Sequence, residues 1–269
     1  MQGVLSTRSV IRIAGEDARN FLQGLVTQDV LHIAEGNAVF TALLTPQGKI
    51  LFDFFLVPAP KGFFIDCDMT SAAALLKRLA LYKLRAKVAI SNEPDLAVAI
   101  GRLEGSAFAS YPDPRLKELP HRIVIARERD ASSADDDYNL LRLSLGVPEF
   151  GRDFEADEVF LLDVNYDALN AVSYQKGCFV GQEVTSRMKR KAEVRKRTLI
   201  ARFDGEAPAK GTPLMSGDAA VGELLSGRND VALALVRLDR LKAAESEGIA
   251  LTADGRALQI AFPAYLERG

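Results

Sequence analysis

The sequence has few of the residues from which proteins build disulfide frameworks and metal sites. It contains two cysteines, two histidines and no tryptophan in 269 residues. Cys67 and Cys178 lie far apart, unlike the cysteines of a disulfide framework, so a reducing compartment is expected. No Cys-x-x-Cys pair is present, and this chain by itself cannot ligate a cluster through cysteine alone. His32 and His121 lie apart from any carboxylate or cysteine pattern, so no metal site is expected.

A strong excess of charge and a long apolar run are also absent. The formal net charge is −2, which argues against a protein that coats nucleic acid through its overall field. The most apolar run, residues 50–58, is interrupted by Asp53 and is too short to cross a bilayer. Residues 1–7 are not followed by the apolar stretch of about 7–15 residues that a secretory signal requires. These absences predict a cytoplasmic protein.

What is present is the composition of a folded protein with more than one domain. Hydrophobic residues make up 48% and charged residues 26%, an ordinary balance for a globular chain. At about 100–200 residues per domain, two or three domains are expected. Helical and strand patterns alternate without regular βαβ units, which favours the α+β class. A hairpin is predicted where residues 38–44 and 50–57 flank the turn Pro46-Gln47-Gly48.

The pattern changes after about residue 193. Four short strand candidates follow, separated by turns that contain glycine, and they predict a small β-barrel of about 75 residues. These candidates are residues 198–203, 220–225, 232–236 and 258–262. We therefore predict a first α+β portion over residues 1–90, a second over 91–193 that can interleave with the first, and the barrel over 194–269.

One segment combines a thiol with flexible backbone: Lys176-Gly177-Cys178-Phe179-Val180-Gly181-Gln182-Glu183. Gly177 and Gly181 bracket Cys178, and since glycine permits positive φ angles, both are suited to present the thiol on a tight bend. A helix is predicted to begin at Gln182. Glu183 and Arg187 would then lie one turn apart and could form an ion pair.

Seven cations follow within eleven positions, and we call them the cationic strip: Arg187, Lys189, Arg190, Lys191, Arg195, Lys196 and Arg197. Nearby cations favour thiolate over thiol, so Cys178 is a candidate nucleophile or a weak metal ligand. The plainer interpretation of a lone cysteine is a small buried hydrophobe. The plainer interpretation of the strip is a solvated face, and the functional one is a docking strip for a polyanion such as a polyglutamate tail.

The eight-residue motif, continued by Val184-Thr185-Ser186-Arg187, resembles the signature of the YgfZ family of folate-binding proteins. Residues 15–18 and 21–30 are similar to the opening of chains related to the glycine-cleavage T-protein. Residues 48–53 and 146–148 lie where that superfamily has further glycine-containing signatures. The resemblance covers most of the chain.

This resemblance implies a T-protein-like three-part ring, with two ferredoxin-like α+β portions and a C-terminal small β-barrel around an opening that binds tetrahydrofolate or a derivative. It also implies a role in assembly or repair of iron–sulfur enzymes, including radical enzymes that modify tRNA. The expected partners are iron–sulfur proteins or their assembly factors, without direct nucleic-acid contact. Cys178 is the candidate functional thiol, and the candidate cofactor contacts are Asp53, Lys176, Gln182, Glu183, Arg187 and Arg190.

Two departures from the aminomethyltransferase pattern qualify this expectation. Phe52 precedes the single Asp53 where those enzymes have two aspartates, and Ser144 stands where they often carry a glutamate. A carboxylate is the natural partner of a pterin's N–H donors, so both departures argue against classical aminomethyl transfer and against the conventional mode of folate binding. The alternatives are a folate-dependent one-carbon transferase and a binding module for tRNA or an acidic protein that does not use folate.

Three other features are interpreted as structural. Cys67 is predicted to be a structural residue at the end of a strand. Residues 111–114, Tyr-Pro-Asp-Pro, are interpreted as a turn, and the acidic residues 135–137 as a solvated loop and helix start.

Overall fold

The computed structural model describes residues 1–102, 106–128, 131–190 and 194–266. The chain divides into two compact units. The first unit comprises Met1–Tyr138 and Leu169–Gln182, and the second comprises Asn139–Ala168 and Glu183–Gly269. The predicted division into portions 1–90, 91–193 and 194–269 stays a prediction. Of the helices in the described ranges, not one combines the length and the apolar character that a membrane span requires.

The first unit contains two antiparallel sheets. Its elements in chain order are β1 (Gly3–Val4), β2 (Arg8–Ala14), α1 (Ala18–Gln23), β3 (Val39–Leu44), β4 (Ile50–Ala59), β5 (Gly62–Asp68), α2 (Ala72–Lys83), β6 (Ala89–Asn92), β7 (Leu96–Ile100), β8 (Ala109–Tyr111) and β9 (Arg122–Ala126). One sheet has the order β3-β4-β5-β2-β6 and the other β1-β7-β9-β8. The predicted hairpin is confirmed as β3 and β4, and at its turn the Gly48 N–H donates to Thr45 O at 2.9 Å.

The two faces of the five-stranded sheet differ because side chains alternate along a strand. On β5, Phe63, Ile65 and Cys67 join an apolar core with α1 and α2. The residues between them, including Asp66, therefore point to the opposite face. Cys67 is fully buried, which confirms its structural interpretation, and burial raises the pKa of its thiol to about 12.

On its opposite face this sheet contributes Arg8 and Asp66 to a group of buried polar side chains that we call the buried arginine cluster: Arg8, Asp66, Tyr111, Asp113, Arg115, Arg122 and Tyr138. The Asp66 carboxylate accepts Arg8 Nε at 2.6 Å, Arg122 Nε at 2.8 Å and the Tyr111 hydroxyl at 2.9 Å. Arg115 Nη2 lies 2.7 Å from Asp113 Oδ2. The interpretation of residues 111–114 as a turn alone is therefore wrong, since Tyr111 ends β8 and two of these residues carry buried polar contacts.

One aromatic ring lies beneath the arginines of this cluster. The guanidinium carbons of Arg8, Arg115 and Arg122 lie 5.7, 4.8 and 4.4 Å from the centroid of the Phe55 ring. A cation near the face of an aromatic ring is attracted by the ring's quadrupole. The cluster thus balances each buried cation with a carboxylate, an aromatic face or both, as burial of charge requires.

The second unit contains the barrel. The chain passes between the units at three points: within α3 (Asp135–Leu145), after Ala168, and within α4 (Gln182–Arg190). The remaining elements are β10 (Lys196–Phe203), β11 (Pro213–Ser216), β12 (Ala219–Arg228), β13 (Val231–Arg237), α5 (Leu238–Glu247), β14 (Leu251–Ala253) and β15 (Arg256–Ala261). The strands close in the order β10-β13-β12-β11-β14-β15. The α+β class and the C-terminal barrel are confirmed.

The barrel contains elements that the sequence pattern did not predict. The four predicted strands correspond to β10, β12, β13 and β15, while β11 and β14 have four and three residues, too few to show an alternating pattern. The helix α5 was also missed. Its signal was Gly248, which ends the helix in the left-handed conformation at φ 66°, as glycine commonly does.

Candidate functional site

The segment that precedes Cys178 is bound to the loop after α1, within the first unit. The Gln28 side chain donates to Asn170 O at 2.8 Å, Thr27 Oγ1 donates to Ala171 O at 2.6 Å, and the Ser173 N–H donates to Thr27 O at 3.1 Å. Thr27 is fully buried. These contacts fix the path of the chain as it approaches the thiol.

Lys176 continues this attachment. Its Nζ donates to Gln23 O at 2.7 Å, Val26 O at 2.6 Å and Gln28 O at 2.9 Å. Only 7% of the lysine is exposed, and Nζ also lies 5.4 Å from the centroid of the Phe179 ring. Burial lowers the pKa of Lys176 to about 8, and the charge of Asp29 acts in the opposite direction.

The two glycines that bracket the thiol have different surroundings. Gly181 has a φ of +80°, and a Cβ built on it would lie 2.7 Å from Thr45 O and 3.1 Å from Gly48 Cα. A side chain is therefore excluded there both by conformation and by the turn of the β3–β4 hairpin. A Cβ on Gly177 would meet nothing within 4 Å. The expectation that glycine is needed for the bend thus holds for Gly181 alone.

Cys178 is exposed, and it lies between the hydrogen-bonded Lys176 and the closely packed Gly181. The plainer interpretation of this residue as a small buried hydrophobe is wrong, and that role belongs to Cys67. The neighbouring Phe179 is 7% exposed, so the chain buries the residue beside the cysteine and leaves the thiol in solvent. An exposed thiol on a fixed backbone is accessible to a reagent, a ligand or a partner chain.

The helix predicted at Gln182 is confirmed as α4, and its cations have different surroundings. Arg187 and Arg190 are exposed, and among the described residues neither forms an ion pair, so the predicted Glu183–Arg187 pair is absent. Arg197, by contrast, lies on β10 and donates to both oxygens of Asp167 at 2.5 and 2.9 Å. Lys191 lies outside the described residues.

A cleft of about 340 Å³ adjoins the cationic strip within the second unit. It is lined by apolar and charged side chains: Glu158, Phe160, Asp163, Arg187, Met188, Arg195 and Lys196. The Asp163 carboxylate accepts the Phe160 N–H at 3.1 Å. Of the residues predicted to contact a cofactor, Arg187 lines this cleft. Phe160 and Met188 were not predicted. Phe160 is remote in sequence from the motif, and Met188 is an uncharged residue among the cations of the strip.

The remaining candidates lie in different environments. Asp53 is on β4, 4% exposed, and pairs across the sheet with Ala42. Ser144 is exposed on α3, and its hydroxyl donates to Leu141 O at 2.7 Å. Asp53, Lys176, Cys178 and Gln182 belong to the first unit, and Glu183, Arg187 and Arg190 to the second. In the part of the chain that the structure describes, no three His, Cys, Asp or Glu side chains form a group that could hold a metal ion.

Comparison with known proteins identifies the family. Residues 195–268 match the family of the CAF17 C-terminal beta-barrel domain. The mitochondrial iron-sulfur cluster assembly factor IBA57 homolog of Neurospora crassa is 32% identical over an alignment that covers 76% of this chain and 54% of that protein. The human mitochondrial iron-sulfur cluster assembly factor IBA57 is 30% identical over 93% of this chain and 82% of its own length. The chain belongs to the IBA57 family.

The fold of this IBA57-family chain is also found in a solved structure. Aminomethyltransferase T of the glycine cleavage system from Bartonella henselae matches 99% of this chain and 86% of its own, with a TM-score of 0.69 and 15% identity. At that identity the likeness shows the fold alone. It confirms the predicted T-protein-like fold, whereas the finer resemblance to the YgfZ family stays a prediction.

The expectation of a cytoplasmic protein is wrong, because the IBA57 relatives are mitochondrial proteins by name. The search for an apolar stretch tested for a secretory signal alone. Mitochondrial targeting segments are amphipathic and rich in arginine and serine, so that test carries no information about them.

Proposed function

We propose that this chain is a folate-binding accessory protein that supports assembly or repair of iron–sulfur enzymes, with Cys178 as its functional thiol. The observation that carries the proposal is the exposure of Cys178 on a loop anchored by Lys176 on one side and Gly181 on the other. A residue whose backbone is fixed and whose sulfur faces solvent is arranged to meet another molecule, not to fill a core.

The iron–sulfur part of the proposal is supported by the names of the IBA57 relatives. Clusters are commonly held by four cysteine ligands, and one exposed thiol can supply a single ligand. The cluster is therefore cargo that Cys178 would share with a partner protein or a small thiol. The clients we propose are iron–sulfur proteins or their assembly factors, including radical enzymes that modify tRNA.

The folate part is supported by the resemblance to the YgfZ family and by the cleft of the second unit. Its volume, about 340 Å³, is within the range of small-molecule sites, roughly 300–1,000 Å³. Phe160 and Met188 would pack against an aromatic body, and Arg187 and Lys196 would attract carboxylates. The hydrogen bonds of Lys176 argue against a contact with the cofactor, since its Nζ already binds three carbonyl groups.

Two measurements test the proposal. Titration of tetrahydrofolate into the purified chain is expected to saturate in the micromolar range, about −8 kcal/mol, and absence of binding would remove the folate part. In cells that lack the native protein, Cys178→Ala is expected to abolish the rescue of iron–sulfur enzyme activity. Cys67→Ala is the matched control, because that thiol is buried. Full rescue by Cys178→Ala would remove the thiol part.

A second candidate is a binding module for an acidic protein, favoured by the exposure of Arg187 and Arg190 without ion pairs among the described residues. Such binding would weaken as salt rises, because exposed charges are screened. A tRNA ligand would show a steeper salt dependence, since phosphate contacts release counterions.

A further inference from the structure

We propose that Lys176 is a positioning residue for the loop that carries Cys178. Its ammonium group donates hydrogen bonds to the carbonyl groups at and after the end of α1, and these bonds fix the loop. The proposal rests on the proposed function of Cys178 and deepens it. It replaces the expectation that Lys176 contacts the cofactor.

The hydrogen bonds of Lys176 saturate its ammonium group. An ammonium carries three donor hydrogens and no acceptor, and Nζ has three carbonyl acceptors at 2.6 to 2.9 Å. No hydrogen remains for a ligand unless one of these bonds breaks. Near neutral pH the ammonium form prevails, since the pKa is about 8.

One of these carbonyl groups, Gln23 O, lies at the C-terminal end of a helix, where a cation is favourable. The last carbonyls of a helix have no partner within it and lie at the negative end of its dipole. The helix α1 ends at Gln23 without a basic residue in its last turn. Lys176, 153 residues further along the chain, supplies that cation. Its hydrogen bonds to the carbonyl groups fix its position.

Because Cys178 is only two residues from Lys176 along the chain, the hydrogen bonds of the lysine also restrain the backbone at the thiol. Two residues of extended chain span at most about 7 Å, so the Cys178 backbone stays close to a lysine whose amine is held at three points. The next residue, Phe179, is buried and lies under the same ammonium, 5.4 Å from ring centroid to Nζ. Three residues after Cys178, Gly181 packs against the hairpin turn. The loop is thus held on both sides of the exposed sulfur.

The first test measures amide hydrogen exchange across residues 173–182, where the Ser173 and Gln182 N–H groups are hydrogen-bonded on either side of the thiol. Lys176→Met keeps an unbranched chain of similar length and removes the donors. Loss of charge-assisted bonds is expected to speed exchange in this loop about tenfold or more. It should also impair rescue of iron–sulfur enzyme activity, while tetrahydrofolate affinity stays within about twofold of the unmodified chain.

The matched control is Leu79→Ala, which removes a buried side chain of α2 in the same unit without touching the loop. It should leave loop exchange unchanged. An equal rise in both variants would show that Lys176 acts only through general stability and would overturn the proposal. So would native loop exchange in Lys176→Met combined with a tenfold loss of tetrahydrofolate affinity, which is the signature of a cofactor contact.

A second measurement uses the unmodified chain and does not depend on a variant that folds. Lys176 should react with an acylating reagent at least about tenfold more slowly than Lys87, whose side chain is 75% exposed. Its lowered pKa gives it more free amine near neutral pH, but burial and three hydrogen bonds keep that amine from the reagent. Tetrahydrofolate should not change that rate. Equal rates, or protection by tetrahydrofolate, would overturn the proposal. Neither exchange nor acylation requires Cys178 to be functional, so failure of the proposed function would be seen separately, as full rescue by Cys178→Ala.

Discussion

Two regions of this molecule each contain several arginines, and the regions differ in what surrounds each guanidinium. In the buried arginine cluster of the first unit, Arg8, Arg115 and Arg122 are 6%, 3% and 1% exposed. Each contacts a carboxylate or an aromatic ring. In the cationic strip, Arg187 and Arg190 are exposed and have no ion pair among the described residues.

This difference distinguishes cations that are compensated inside the fold from cations that are exposed to solvent and to a ligand. A buried cation persists only when carboxylates and hydrogen bonds compensate it, and removal of one partner leaves an unpaired charge in the interior. An exposed cation is hydrated and contributes little to stability. The buried cluster is therefore expected to determine whether the first unit folds, and the strip to determine what the second unit binds.

The largest effect is expected from Asp66→Asn. This change keeps the side-chain volume and removes the anion that contacts Arg8, Arg122 and Tyr111. Breaking a buried ion pair costs about 3–5 kcal/mol, and urea unfolding should show a loss of that size. The control is Asp239→Asn, at an exposed pair with Arg237, which should leave the urea midpoint unchanged. Equal effects of the two changes would contradict the contrast between buried and exposed charge.

A smaller effect is expected from acid. Burial by itself raises the pKa of Asp66, but the positive charges of Arg122 and Arg8 outweigh it, and the pKa lies below the ordinary 3.8. As pH falls, the unfolded chain therefore binds the proton first. The stability that Asp66 contributes is fully present above about pH 4 and is lost as pH falls through the folded-state pKa. Urea midpoints between about pH 5 and pH 3 should fall less steeply in Asp66→Asn than in the unmodified chain, and parallel curves would argue against this linkage.

The smallest effect on stability is expected in the strip. Arg187→Gln together with Arg190→Gln should not shift the urea midpoint, because neither guanidinium is paired among the described residues. The same double variant should weaken binding of tetrahydrofolate or of an acidic partner and reduce its salt dependence. Lys87→Gln, at an exposed site of the first unit, is the matched control for loss of a surface charge. An unfolding defect in the strip variant would show that these cations are structural.

The features that could be predicted from the sequence depend on local patterns. The β3–β4 hairpin follows from two apolar runs and a Pro-Gln-Gly turn, and α4 from the residues after Gly181. The buried arginine cluster could not be predicted, because its members are distributed from Arg8 to Tyr138. The Tyr111 hydroxyl meets Asp66 at a separation of 45 residues, and no local pattern connects them.

The candidate site was predicted in the same partial way. The motif located Cys178, the glycines and the cations, since these are neighbours in the chain. It could not assign Lys176, because the partners of its amine are backbone carbonyl groups that carry no sequence signal. Nor could it distinguish Gly181 from Gly177, because the hairpin turn that excludes a side chain at residue 181 lies more than a hundred residues earlier.

By itself, the sequence determined the α+β class, the barrel strands long enough to alternate, and the segment that carries the thiol. Each of these follows from residue type and spacing along the chain. The tertiary structure decided which charges are compensated, which cysteine is exposed and which atoms hold the loop. These depend on burial, and burial is set by the packing of segments that are distant in sequence.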